Sequence, residues 1–248
     1  MSKLKITLPK DWSELGDQQL YYVFNLIADN LSGEQIKTMC LFRFGQIKML
    51  CRYGQGFLVK KDKEEYLVTA ETVTDAIQSL NFLEDVPARP VRISEIKGHK
   101  AADPLLKDIT LQTYLYTENM FQGFLATQRH DMLNAMGQQL YDADDLILSQ
   151  AEKMSVFYWW TAVKVAFTQQ FPHLFAAAPQ TNSNLIGETS SLQRKLTDAM
   201  NNQIRALTKG DITKEEQVLQ MNLWRALTEL DNLAREAEEL NRKFKHNG

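Results

Sequence analysis

The feature that most constrains this chain is a run of apolar residues near its C-terminal end. Leu219, Leu223, Ala226, Leu230, Leu233, Ala237, Leu240 and Phe244 recur at alternating spacings of four and three residues. That period puts all of them on one stripe of an α-helix, the kind of seam that packs against another helix. A strand cannot present it, because successive side chains of a strand point to opposite faces. Acid-before-base pairs at i,i+4 (Asp231–Arg235, Glu238–Arg242 and Glu239–Lys243) suit the outer face of the same helix. The spacing predicts a single helix over about residues 214–245, roughly 48 Å long at 1.5 Å per residue.

The preceding segment is helical too. Leu192, Leu196, Met200, Ile204 and Leu207 share a face over about residues 191–208, or ~27 Å of helix. Lys209 suits the negative end of the helix dipole, and Gly210 suits the left-handed residue that closes many helices. Thr213 with Glu216 three residues on reads as a capping box that starts the last helix. A stop and a start so close together force two antiparallel arms. The shorter arm covers only the first part of the longer one, which leaves the seam from about Leu233 to Phe244 to pack on the body, on another copy of the chain (self-association) or on a different protein. Leu230, Leu233, Ala237, Leu240 and Phe244, with Trp224 as an aromatic anchor, are therefore the candidate protein-interaction residues.

Upstream, the pattern is that of a multi-helix body. Leu20, Val23, Phe24, Ile27 and Leu31 mark a helix opened by Asp17. Ser32 and Gln35 form a capping box for the next, and the spacing of Ile47, Leu50 and Cys51 predicts that it resumes after Gly45. Phe57–Val59 and Tyr66–Val68, around a polar turn, read as a small β-hairpin near 57–68, the one sheet expected. Helical spacing returns from Thr72 and ends before Pro87 and Pro90. An extended connector leads to helices marked by Leu111–Leu125 and Leu133–Leu140. Ser149 and Glu152 then cap a helix running to Gln170. Within it Phe157-Tyr-Trp-Trp160 points aromatics in every direction, as in a centrally buried helix. The fold class expected is mainly α: a multi-helix body over 1–171 with one β-hairpin, a polar and Ala/Pro-rich linker over 172–190, and a helical hairpin over 191–248.

Charge and chemistry narrow the function. Counting Lys and Arg against Asp and Glu gives +4 for residues 1–63, −8 for 64–148, +3 for 149–210 and −2 for 211–248. The N-terminal excess is small for a nucleic-acid footprint. A nucleic-acid-associated regulator using Lys37, Arg43, Lys48 and Arg52 of the second helix region stays as the alternative to a protein partner. The opening residues carry no signal-peptide pattern, and no apolar run reaches the ~18 residues needed to span a membrane. The expectation is a cytoplasmic protein with no membrane partner, in which Cys40 and Cys51 are buried free thiols.

Signatures of catalysis fail one by one. His99, His130, His173 and His246 have no zinc-ligand spacing with each other or with cysteine. The acidic run Asp142–Asp145 lacks the glycine and the terminal glutamate of a calcium loop, with Lys153 at the twelfth position. Gly54-Gln-Gly56 is too short for a dinucleotide fingerprint, and no phosphate loop or nucleophile elbow occurs. The expectation is a protein without enzymatic activity, cofactor or metal.

Two stretches carry a resemblance: Leu8-Pro-Lys-Asp-Trp-Ser-Glu-Leu15 running into Gln18-Gln-Leu-Tyr-Tyr22, and Arg205-Ala-Leu-Thr-Lys-Gly-Asp-Ile-Thr-Lys-Glu-Glu216 continuing through Trp224-Arg-Ala-Leu-Thr-Glu-Leu230. Over roughly the first and last 50 residues the chain resembles uncharacterised helical proteins encoded in bacteriophages and prophage-like elements. The resemblance implies a virion-assembly or virion-structural role in a bacterial host cell, such as that of a tail assembly chaperone. It implies no functional residues.

Overall fold

The structure, a computed structural model, describes residues 4–176 and 189–246. It is mainly α-helical, with a small antiparallel sheet. Contacts group the chain into two compact units: residues 1–94 with 148–162, and residues 95–147 with 163–248. This grouping differs from the division expected at 172–190. That stretch begins with a short helix, and its residues 177–188 lie outside those described.

The first unit opens with a 3-10 turn, Trp12–Glu14, capped by the Asp11 carboxylate, which accepts the Ser13 N–H at 2.7 Å. Helix α1, Asp17–Ala28, buries Leu20, Val23 and Phe24 as its spacing requires. Helix α2, Gly33–Phe44, starts at the expected capping box: the Gln35 N–H donates to Ser32 Oγ at 3.3 Å, and the Ser32 N–H to Gln35 Oε1 at 2.9 Å. It does not resume beyond Gly45. Gln46 adopts φ 54°, and the next residues form strand β1, Ile47–Tyr53.

With β2, Gly56–Lys61, and β3, Glu64–Thr69, β1 makes a three-stranded antiparallel sheet in the order β1-β2-β3. The expected hairpin is thus present, with a third strand added. A bulge explains why β1 reads as a helix. Met49 pairs with Val59 and Cys51 with Leu58, so Leu50 is an extra residue. It breaks the two-residue alternation and leaves Ile47, Leu50 and Cys51 at helical spacing. The Cys51 thiol lies exposed on this strand, whereas Cys40 is buried, so only one of the two thiols is covered.

Helix α3, Ala70–Gln78, follows the sheet. The unit's core is aromatic: Trp12, Phe24 and Tyr158 lie with ring centroids 5.5–5.8 Å apart. The Trp12 N–H donates to the carbonyls of Phe82 (2.8 Å) and Asp85 (3.0 Å). Trp12 is thereby an internal residue.

The second unit begins with a two-residue hairpin that the sequence pattern did not announce, β4 (Glu95–Ile96) and β5 (His99–Lys100), turned by Lys97 and Gly98 in the left-handed region. Helices α4, Leu111–Thr127, and α5, His130–Leu140, follow where expected. Helix α6, Gln150–Gln170, carries the Ser149–Glu152 capping box, with bonds of 2.6 and 3.3 Å, and contributes residues to both units. Trp159 and Trp160 on it are wholly buried, in keeping with a helix apolar on every side. Phe171-Pro172 ends it, but Pro172 then opens the short α7, Pro172–Ala176, as proline can at a first helical position.

The C-terminal region is α8, Thr189–Thr208, a 3-10 turn Ile212–Lys214, α9, Glu215–Leu219, and α10, Leu223–His246. Gly210 closes α8 at φ 81°, its N–H bonded to the Arg205 carbonyl at 3.1 Å. Asp211, rather than Thr213, caps the restart, accepting the Thr213 N–H and hydroxyl at 3.1 and 2.6 Å.

The expected single long helix is interrupted at residues 220–222. There Asn222 forms a β-bridge with Thr110: the Leu111 N–H donates to the Met221 carbonyl at 2.9 Å, and the Leu223 N–H to the Ile109 carbonyl at 3.0 Å. These bonds to another segment replace helical ones. The final arm is therefore 24 residues, ~36 Å, against 20 residues, ~30 Å, for α8. The mismatch between the arms is about 6 Å rather than 20 Å.

Candidate interaction surface on the last helix

Helix α10 is anchored at its start. The Asn222 carboxamide oxygen accepts the N–H groups of Trp224 (3.1 Å) and Arg225 (3.4 Å), satisfying donors that a helix start leaves open. Its amide nitrogen donates to the Lys107 carbonyl at 2.7 Å. Trp224 donates its indole N–H to the Leu105 carbonyl at 2.7 Å, and its ring meets Phe167, Phe171 and the Lys107 ammonium. Trp224 is occupied within its own unit, which removes it from the set of exposed interaction residues.

Two turns on, the Asp231 carboxylate accepts the N–H groups of His173 (2.8 Å) and Leu174 (2.9 Å) at the start of α7. Asp231 thus caps a neighbouring helix instead of pairing with Arg235, which donates to Asn232. Glu238 bonds His173 Nδ1 at 3.2 Å and pairs with Arg242 at 3.7 Å, the one expected i,i+4 pair that forms among the described residues.

Along the seam, burial falls from one end to the other. Leu223, Ala226 and Leu227 are in the core, and Leu230 is only 4% exposed, so it too is internal. Leu233 is half-buried and Ala237 exposed. Leu240 is 54% exposed and Phe244 75%. The same four-three stripe that packs the first half of α10 continues without a cover among the described residues over its second half. Arg235, Glu236, Glu239, Arg242 and Lys243 flank it, all exposed.

The basic residues of the alternative do not come together on one helix. Lys37 is buried on α2, its ammonium bonded to Glu34 (2.7 Å), Glu84 (3.0 Å) and Asn81 (2.9 Å). Arg43 lies over the Tyr22 ring, and Lys48 and Arg52 sit on β1. Arg43 and Lys48 do line an open groove of about 780 Å³ in the first unit with Tyr22, Met39, Phe44 and Ile47. Among the described residues no group of three or more His, Cys, Asp or Glu side chains is placed to hold a metal ion, and no helix is long and apolar enough to cross a membrane.

Compared with known proteins, the chain matches no family model, no curated protein and no solved structure.

Proposed function

We propose that the chain is a non-enzymatic interaction and assembly protein whose docking surface is the exposed apolar stripe on the second half of α10. One observation carries this reading: a single apolar seam is used for core packing up to Leu230 and then stands exposed at Ala237, Leu240 and Phe244. Exposed large apolar side chains at regular helical spacing suit the groove or helix of a protein partner. The resemblance of the chain's two ends to phage- and prophage-encoded proteins gives the assembly the character of virion building, in the manner of a tail assembly chaperone.

The test is co-expression with the products of adjoining genes and light scattering of the purified chain, with and without Leu240→Asp and Phe244→Asp together. The expected result is that complexes with a neighbour's product or with further copies are lost while the melting temperature holds. Complexes that survive the double substitution unchanged overturn the reading.

A further inference from the structure

Resting on that docking surface, we infer that its occupant is a second copy of the same half-helix, crossing antiparallel. In such a crossing Leu233 packs against Phe244 of the second copy and Ala237 against Leu240. Each layer then joins a larger side chain to a smaller one, which keeps layer volumes even. A parallel crossing would instead set Ala237 against Ala237 and Phe244 against Phe244, leaving one layer hollow and the next crowded.

The flanking charges choose the same arrangement. Glu236 and Lys243 both lie on one side of the seam, each one residue before a seam position, and neither is ion-paired among the described residues. In the antiparallel register Glu236 falls opposite Lys243 of the second copy, and the two-fold axis repeats the pair. In a parallel register Glu236 falls opposite Asn241, and no opposite charges meet. The antiparallel overlap covers about residues 231–246, so the buried first half of each α10 lies beyond the end of its partner helix. A contact of some four turns is smaller than a standard stable interface, and the dimer is accordingly concentration-dependent.

Sedimentation velocity of the full chain across a concentration series tests this. The expected result is a monomer–dimer equilibrium that Phe244→Asp abolishes. Glu236→Lys or Lys243→Glu alone sets like charges opposite each other twice per dimer and weakens association about tenfold. The double swap Glu236→Lys with Lys243→Glu restores most of the loss, a rescue that a purely structural effect on the helix would not produce; circular dichroism checks that each variant stays helical. A dimer that Phe244→Asp abolishes, but in which the double swap fails to restore what the single charge reversals lose, overturns the antiparallel register. A chain that is monomeric at every concentration, yet still captures a neighbour's product through Phe244, overturns self-pairing and leaves the docking surface standing. A dimer indifferent to Leu240 and Phe244 overturns both.

Discussion

Cys40 and Cys51 stand eleven residues apart in one unit and meet opposite environments. Burial on α2 pushes the Cys40 thiol up to about 12, from 9.0, because a thiolate there would lose its hydration. Its neutral form is favoured by folding, so this contribution to stability is intact below pH 9 and is lost as pH rises through 12. Cys51 lies exposed on an edge strand. The native chain should therefore react rapidly with a thiol reagent at one site and release the second only on unfolding, which counting modified thiols by mass spectrometry checks. Trp224 gives a second residue-scale prediction. Trp224→Phe keeps the ring but strips the donor from the Leu105 carbonyl and should cost about 1 kcal/mol. Trp224→Ala also empties the space against Phe167 and Phe171 and should cost about 3 kcal/mol in urea titration.

Among elements, the closure of α8 and the break before α10 have different physical origins. Gly210 sits at φ 81° with open space where a Cβ would go, so Gly210→Ala costs only backbone strain, about 1 kcal/mol. Asp211 beside it is held down to about 2, first by the Thr213 hydroxyl and then by Lys214. A depressed carboxylate stabilises the fold above its ordinary value of 3.8, and this help disappears as pH falls through about 2; an NMR titration of the Asp211 side chain checks it. Asn222 both caps α10 and bonds Lys107, so Asn222→Ala should cost at least about 1 kcal/mol and fray the first turn, as amide hydrogen exchange would show.

For the whole molecule the last helix has two parts with different consequences. Removing residues 213–248 takes Val218, Leu223, Ala226, Leu227 and Leu230 from the core of the second unit and should abolish its cooperative unfolding. Removing only residues 237–248 deletes no buried side chain among the described residues, though it gives up the Glu238–His173 bond, and should leave thermal melting within a few degrees of the full chain, while ending association. Calorimetry of the two truncations separates these outcomes, and the shorter truncation is the informative one for function.

Much of this was legible along the chain. Helices α1, α4, α5 and α6, the Ser32 and Ser149 capping boxes, the β2–β3 hairpin and the Gly210 stop all follow from apolar period and end chemistry, which are local properties. The α10 seam was readable as a seam for the same reason, since four-three spacing is a property of the helix alone. What sits on it was not. Leu230 and Phe244 occupy equivalent stripe positions, yet one is in the core and the other is 75% exposed. Likewise Gln220–Asn222 has no breaker in its sequence; it leaves the helix because residues 109–111 offer backbone partners from over a hundred positions away. Local sequence determined which residues form each stripe. Only the tertiary structure decided where the long helix breaks and which part of its stripe remains open, because both depend on segments distant along the chain that arrive to supply hydrogen bonds and cover.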